Sequence, residues 1–289
     1  MNWKRTIALA GLIAALVGAL GGALFVSGCG VGTGPTKELT VDEPLGSAAV
    51  TDVTVSMGAG KLGIQPGATR LVSGLIRYNV EAWKPEIVRS DSAVTIKQHT
   101  NKGLSGVATN VVNDWELKLG SAPMRLTVTA GAYEGSYELG GLSLQKLSIK
   151  DGASKSAVSF SSPNPSQMDE LNYETGASSV ALTGLGDANF KEMKFKGGAG
   201  SFTLDFSGQL RSDGSVAIEA GVGSLHIIVP AGTAAKVVIE GRLTNVTQEG
   251  TWKAAEKTYS TSAVGTAQQG KLLTITVSMD LGSLTITSK

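Results

Sequence analysis

Apolar and polar positions alternate along most of this chain, starting near Ala49. Val53 and Val55 share one face of a predicted strand, and Leu62 and Ile64 continue the same pattern. A period of two is typical of β-strands with one buried face. Because no convincing amphipathic helix follows residue 29, the pattern predicts an all-β protein.

The second half of the chain repeats a short motif that begins with glycine. The motif glycines lie at positions 152, 176, 198 and 221, so the intervals are 24, 22 and 23 residues. A fixed period of about 23 residues indicates a β-solenoid, whose turns bury their apolar faces by stacking. The order of elements predicts parallel pairing between successive turns. An antiparallel sandwich, whose turns also recur regularly, is the alternative.

Each repeat contains a predicted corner followed by two inward-facing residues. Glycine at the first position, and often at the third, allows a positive φ or a close backbone approach. The predicted corner glycines are Gly152, Gly176, Gly198, Gly200, Gly221 and Gly223. The predicted buried ladder consists of Leu182, Phe202, Leu204, Leu225 and Ile227. Asp280-Leu281 departs from the motif and is interpreted as a turn that caps the stack.

The first 29 residues have the pattern of a bacterial lipoprotein signal. Lys4 and Arg5 precede an uncharged stretch that ends in Leu24-Phe25-Val26-Ser27-Gly28-Cys29, and Cys29 is the only cysteine. We expect Cys29 to carry a lipid that anchors the protein to the membrane. An uncleaved transmembrane helix is the alternative, since the stretch is long enough to span a bilayer. Either segment predicts an extracytoplasmic location in the bacterial cell envelope.

These patterns divide the chain into four predicted parts. Residues 1–28 form the signal peptide, and residues 29–44 form a flexible tether. Residues 45–138 form a less regular N-terminal β region, and residues 139–289 form the solenoid repeats. Without Lys4 and Arg5 the chain has 23 basic and 24 acidic residues, so its balanced charge gives no reason to expect nucleic acid as a partner.

Few residues suggest chemistry. The two histidines, His99 and His226, are isolated and interpreted as surface residues, so we expect no metal site and no cofactor. Asp169-Glu170, Asp205 and Glu219 could supply the paired carboxylates of a polysaccharide-acting enzyme, with Asp205 and Glu219 the best pair. The six remaining candidates are aromatic and could either contact a ligand or fill the core: Trp83, Trp115, Trp252, Tyr78, Tyr133 and Tyr137.

The repeated segments together resemble the toast-rack family of bacterial extracytoplasmic β-solenoid domains. The resemblance lies in Leu139–Ile149, Pro163-Asn164-Pro165 and Leu204–Gly208, with the glycine motifs interspersed among them in a fixed order. This family is related to the C-terminal domain of LiaF-type antibiotic-response proteins and to adhesin heads. The resemblance implies adhesion, envelope-stress sensing or protein contact, and it supplies no catalytic residues.

The sequence therefore predicts a non-enzymatic, lipid-anchored envelope protein that binds a partner through a solenoid face. The partner is expected to be another envelope protein, a cell-wall polymer or another cell. A polysaccharide-acting enzyme and a carrier that shields a lipid remain alternatives, the latter needing a large apolar cavity.

Overall fold

A computed structural model describes residues 32–99, 110–241, 243, 245–267 and 269–289. Cys29 and the predicted signal peptide 1–28 lie outside the described residues. Within these ranges, no helix has the length and apolarity needed to cross a membrane. The strands are β1 Lys37–Glu43, β2 Thr51–Pro66, β3 Val72–Tyr78, β4 Pro85–Arg89, β5 Ala93–Gln98, β6 Asn113–Leu119, β7 Met124–Glu138, β8 Leu144–Ser159, β9 Met168–Thr183, β10 Phe190–Asp205, β11 Gly214–Val229, β12 Ala234–Glu240, β13 Asn245–Glu249, β14 Trp252–Ala255, β15 Thr258–Thr261 and β16 Leu272–Ser288.

All sixteen strands belong to one sheet, and a 3-10 turn spans Glu81–Trp83. Seven long strands, which we call rungs, form its middle in the spatial order β2-β7-β8-β9-β10-β11-β16. Neighbouring rungs pair in parallel over nearly their whole length. The predicted all-β class and the stacked repeat are confirmed, and the parallel pairing excludes an antiparallel sandwich.

Each rung changes its inward-facing phase at a corner. In β9, Tyr173 and Thr175 are buried before the corner, whereas Val180 and Leu182 are buried after it. The pairing of β8 with β9 omits Gly152 and Gly176. Each rung therefore has one unpaired residue at its corner, which shifts the alternation of inward and outward side chains by one position. We call the part of a rung before the corner its first arm and the part after it its second arm. Both arms therefore bury side chains in the same interior.

The corner glycines have two different roles. A Cβ added to Gly176 would lie 2.4 Å from the carbonyl oxygen of Gly152, and one added to Gly221 would lie 2.4 Å from that of Gly198. These first-position glycines stack on one another and leave no room for a side chain. Third-position residues differ, because Gly200 has a φ of 151° and Gly223 a φ of 142°. That backbone conformation is costly for other residues.

The rungs enclose the apolar core, where the predicted ladder is confirmed. Phe202 and Leu204 are paired in register with Val180 and Leu182, and all four are buried. The ladder also includes Leu225 and Ile227, which are equally buried. Five of the six aromatic candidates are core residues, namely Trp83, Trp115, Tyr78, Tyr133 and Tyr137. Trp252 alone of the six is partly exposed, and its Nε1 donates to the Glu249 carbonyl oxygen.

The sheet divides at both ends, because different short strands cover the two arms of the end rungs. At the N-terminal end, β5 pairs with the first arm of β2, and β6 pairs with its second arm. At the C-terminal end, β12 pairs with the first arm of β16, and β13 pairs with its second arm. Asp280-Leu281 is the corner of β16, the last rung, as the prediction of a terminal turn requires, but β12 and β13 rather than this corner cover the stack.

The structure also differs from the prediction for the N-terminal parts of the chain. Residues 37–43 of the predicted tether form β1, which pairs antiparallel with β3, so this part of the tether prediction is wrong. The pattern of Leu39 and Val41 alternates, but β1 is too short to stand out from its polar surroundings. The boundary after residue 138 falls between β7 and β8, two neighbouring rungs of the same sheet.

Candidate interaction surface

The outer face of the first arms carries charged side chains that pair across neighbouring rungs. Lys146 Nζ lies 2.8 Å from Glu170 Oε2, and Lys150 Nζ lies 3.0 Å from Glu174 Oε2. The hydrogen bond from Lys146 is the main reason that the pKa of Glu170 is lowered. Such exposed pairs add little stability, but they leave this face locally neutral and already paired.

The second arms of the C-terminal rungs have a different outer face. Their outward positions carry hydroxyl groups in two rows that run across the stack. We call this surface the hydroxyl face and define it by Ser179, Ser201, Ser224 and Ser283 in one row and Thr203 and Thr285 in the other. Ser224 Oγ donates to Ser201 Oγ over 3.1 Å. Because the rungs are in register, the serine hydroxyls of the first row repeat about every 4.8 Å, whereas His226 lies between Thr203 and Thr285 in the second row.

His226 lies in the second row of this face and is half-buried. Its Nε2 is 2.8 Å from Thr287 Oγ1, and the Thr287 hydroxyl donates to Glu249 Oε2 over 2.8 Å. This chain of contacts joins β11, β16 and β13. His99 is exposed directly after β5, far along the chain from His226. Among the described residues, no three His, Cys, Asp or Glu side chains are grouped as metal ligands.

The carboxylates considered for catalysis are separated by the fold. Asp205 ends the second arm of β10 and accepts a hydrogen bond of 2.8 Å from the Ser207 amide. Glu219 lies on the first arm of β11, where it pairs with Lys196 over 2.9 Å. Asp169 pairs with Lys191. Since Asp205 and Glu219 are on different arms, they do not form a two-carboxylate site.

A buried polar cluster surrounds Asp151 at the inner corner of β7, β8 and β9. Tyr173 Oη donates to Asp151 Oδ2 over 2.8 Å, and Tyr133 Oη donates to the same oxygen over 3.3 Å. The Thr175 hydroxyl donates to Asp151 Oδ1, and Tyr137 Oη donates to Tyr133 Oη. Hydroxyl donors therefore satisfy a carboxylate that is 93% buried.

Burial dominates the electrostatics of this cluster. It raises the pKa of Tyr133 to about 12, and it also raises the pKa of Tyr137 and of Tyr173. Gly135 makes room for the rings, because an added Cβ would lie 2.7 Å from Tyr133 and 2.8 Å from Tyr137. The cluster is closed to solvent, so we interpret it as a polar part of the core.

Sequence reasoning missed this cluster, although one signal was available. Asp151 directly precedes a corner glycine and is in phase with Leu147 and Ile149. Its register neighbours on the adjacent rungs are Ala130 and Thr175. An inward-facing carboxylate in this series predicts nearby hydroxyl donors. Tyr133 and Tyr137 were interpreted only as ligand contacts or core residues, and Tyr173 was not among the candidates.

Comparison with known proteins addresses the fold and the family. A Clostridium sporogenes structure, a candidate cell adhesion protein, is 22% identical, covers 88% of this chain and 99% of its own, and has a TM-score of 0.50. A candidate adhesin from Parabacteroides merdae is 11% identical, with coverages of 90% and 98% and a TM-score of 0.38. A candidate lipid-binding protein from Parabacteroides distasonis is 12% identical, with coverages of 89% and 98% and a TM-score of 0.32.

No curated protein matches the chain. The family model for the N-terminal domain of toast_rack matches residues 32–179 and again residues 164–228. The two matches overlap at residues 164–179, which include most of β9, and such an overlap is expected where neighbouring rungs have similar sequences. They span more than half of the sequence and include every rung from β2 to β10. The chain therefore belongs to the toast-rack family.

Proposed function

We propose that this protein is a non-enzymatic, lipid-anchored binding protein of the bacterial cell envelope, and that the hydroxyl face contacts its partner. The observation that carries the proposal is the unbroken serine row of the hydroxyl face, which runs beside a second row in which His226 separates Thr203 from Thr285. Serine and threonine hydroxyls both donate and accept hydrogen bonds, so they suit a neutral polymer with hydroxyl and amide groups. We therefore propose a cell-wall polymer as the partner, with an envelope protein as the alternative.

The contrast between the two outer faces supports this choice. On the first arms, the outward charges are already paired with charges of the neighbouring rung. On the hydroxyl face, Ser179 and Ser201 are exposed and uncharged. A long polymer could therefore lie across several rungs and bind weakly at each, which gives a strong total contact. Adhesion and sensing of the envelope state would both use such a contact.

The anchor is proposed from the residues that precede the described structure. Leu24 to Cys29 has the small residues and the single cysteine of a lipobox. A lipid on Cys29 would place the solenoid outside the cytoplasm and close to the membrane. The related fold of a candidate cell adhesion protein from Clostridium sporogenes agrees with this location.

The two alternative functions have less support. The enzyme hypothesis relied on Asp205 and Glu219, which lie on separate arms. The carrier hypothesis needs an apolar cavity, but the interior of the rungs contains closely packed side chains such as Tyr173, Phe195 and Phe202. The rings of Tyr173 and Phe195 are 5.8 Å apart, and those of Phe195 and Phe202 are 5.2 Å apart.

A binding experiment with insoluble cell-wall material tests the proposal. The full chain is incubated with purified cell wall, and bound and soluble protein are measured along with any released sugar. The variant Ser201→Arg with Ser224→Arg places two long charged side chains on the hydroxyl face. Its matched control, Thr129→Arg with Ser215→Arg, changes two exposed hydroxyl residues on the first arms.

We expect saturable binding without released sugar. The face variant should weaken binding by about tenfold, which corresponds to about 1.4 kcal/mol. The first-arm control should bind like the unchanged protein. Equal binding by both variants would contradict the assignment of the hydroxyl face, and release of soluble sugar would contradict a non-enzymatic function.

A further inference from the structure

Six charged residues of alternating sign form one row across the N-terminal end of the sheet. We call it the charge row, and its members are Glu38, Arg77, Asp114, Lys61, Glu134 and Lys155, on β1, β3, β6, β2, β7 and β8 in that order. Consecutive members are register partners on adjacent strands. The row continues the first row of the hydroxyl face, because Lys155 is paired in register with Ser179.

The side chains of the charge row point outward and are only partly satisfied within the chain. Arg77 Nε lies 3.1 Å from Glu38 Oε1, whereas Lys61 Nζ and Glu134 Oε2 are 3.9 Å apart. The side chains of Lys61 and Glu134 are 69% and 57% exposed. These charges can therefore form further pairs with a molecule that approaches the face.

A strip of small residues runs beside the charge row. It consists of Gly63, Ser136, Ala157 and Ala181, which are consecutive register partners on β2, β7, β8 and β9. Together with Lys61, Asp114, Glu134 and Lys155 of the row, it lines a shallow depression of about 660 Å³. Small side chains at this place allow another surface to approach the sheet closely, so the charges can reach across.

The spacing between charges of the row limits which kinds of partner can place opposite charges against all of them. Adjacent strands are about 4.8 Å apart, whereas side chains on one face of an extended peptide repeat about every 6.8 Å. An extended peptide would therefore lose register with the row within a few residues. Another stack of β-strands has the same spacing and would stay in register.

The order of the signs makes the row complementary to itself. Reversing the sequence of negative and positive charges exchanges every sign, so a reversed copy places Glu38 opposite Lys155, Arg77 opposite Glu134, and Asp114 opposite Lys61. We propose that this face binds a second copy of this chain, related by a two-fold axis that runs along the strands between β6 and β2. Residues of each copy then contact the complementary residues of the other.

The neighbouring positions agree with this arrangement. The same reversal places Glu116 of one copy opposite Gly63 of the other, so no like charges meet there. A two-fold axis along the row would instead place each charge opposite the same residue of the other copy. Repulsion between like charges disfavours that arrangement. The alternating signs therefore favour the two-fold axis along the strands over the two-fold axis along the row.

Exposed ion pairs are individually weak and are screened by salt, so the association should be modest and salt-sensitive. The screening length falls from about 10 Å at 0.1 M salt to about 3 Å at 1 M. We expect two differently tagged full chains, expressed together, to co-purify at low salt and to separate at high salt.

Two exchange variants test the pairing between copies. Each also changes an ion pair within its own chain, because exchanging Glu38 with Arg77 loses the Arg77–Glu116 pair and exchanging Glu134 with Lys155 loses the Lys61–Glu134 pair. Variant A exchanges Glu38 and Arg77, as Glu38→Arg with Arg77→Glu. Variant B exchanges Glu134 and Lys155, as Glu134→Lys with Lys155→Glu. In a dimer of A, or in a dimer of B, like charges would meet at four contacts. In a mixed dimer of A with B, the same four contacts would all be complementary.

The experiment compares co-purification of the unchanged chain with itself, A with A, B with B, and A with B. We expect A with A and B with B to fall by on the order of tenfold, and A with B to recover. The control variant Lys150→Glu with Glu174→Lys exchanges a first-arm pair and should behave like the unchanged chain. Thermal unfolding of every variant shows whether it folds.

The mixed pair separates this proposal from a folding effect, since A and B carry the same changes whether mixed or alone. Recovery in the mixed pair supports the two-fold contact between charge rows. No recovery in the mixed pair, or no co-purification of the unchanged chain at low salt, would overturn it. A negative result for the charge row would not contradict the binding role proposed for the hydroxyl face, because that role is tested with cell-wall material and with variants of different residues.

Discussion

At the scale of single residues, the core of this protein tolerates a buried carboxylate because hydroxyl groups surround it. Asp151 takes an inward position that neighbouring rungs fill with Ala130 and Thr175. Tyr133 and Tyr173 reach it from the adjacent rungs and donate hydrogen bonds. Removing one hydroxyl should therefore affect both stability and its dependence on pH.

Tyr133→Phe tests this at high pH. The pKa of Tyr133 is about 12 in the folded protein and about 10 when unfolded, so the unfolded chain loses this proton first. The stability contributed by the neutral phenol is complete below pH 10 and is lost as the pH rises from 10 to 12. For Tyr133 alone this loss reaches about 3 kcal/mol, which the variant should no longer show.

The measurement is the free energy of unfolding in denaturant at several pH values from neutral to strongly alkaline. Tyr259→Phe, which changes a half-buried tyrosine on β15 outside the cluster, is the control. If the free energy of unfolding falls equally steeply with rising pH in Tyr133→Phe and in the unchanged protein, then the Tyr133 hydroxyl is not buried and hydrogen-bonded as described.

At the scale of elements, the rung is a strand with a corner, and the corner depends on stacked glycines. Gly152, Gly176, Gly198 and Gly221 occupy equivalent positions on consecutive rungs. Each approaches the carbonyl oxygen of the preceding glycine so closely that any side chain would collide with backbone. The period seen in the sequence is thus the period of this backbone contact.

Gly176→Ala should destabilise the fold without changing its charge or apolar surface. The added Cβ would lie 2.4 Å from the Gly152 carbonyl oxygen, so β8 and β9 would have to separate locally. We expect a loss of about 1–3 kcal/mol, as for other cases of overpacking. Chemical denaturation measures the loss, and Gly232→Ala is the control, because nothing lies within 4 Å of its added Cβ. Equal stability of the two variants would contradict the stacked corner.

At the scale of the whole molecule, the stack of rungs has a charged first-arm face and a second-arm face that changes along its length. The charge row occupies the N-terminal end of the second-arm face, and the hydroxyl face occupies its C-terminal end. Short strands cover both end rungs: β5 and β6 at one end, β12 and β13 at the other. Covered ends protect the unpaired backbone of the end rungs from further strand addition.

Cys29→Ser tests the proposed attachment of this whole molecule to the membrane. Loss of the thiol should block lipid attachment and cleavage of the signal peptide, since no other cysteine is available. Incorporation of a clickable fatty acid and the apparent mass of the protein in cell fractions measure both steps. Ser27→Ala, which keeps a small residue before the cysteine, should be labelled normally. Equal labelling of Cys29→Ser and the unchanged chain would refute the anchor.

The sequence by itself determined the strand class, the repeat and the inward ladder. Alternation shows which residues face the same way, and recurring glycines show where a backbone must bend or approach another closely. Both signals are local or periodic, so Phe202, Leu225 and Gly176 could be assigned to the stack from the sequence. The family resemblance followed from the same order of motifs.

Only the tertiary structure decided which distant residues became neighbours. β1, β3 and β6 join β2 in an order that no period indicates, so the charge row could not be found from the sequence. Asp205 and Glu219 were plausible partners until the corner placed them on different arms. Pairing between strands that are far apart in the chain depends on the packing of the whole sheet. The tertiary structure therefore decides which residues share a surface of this protein.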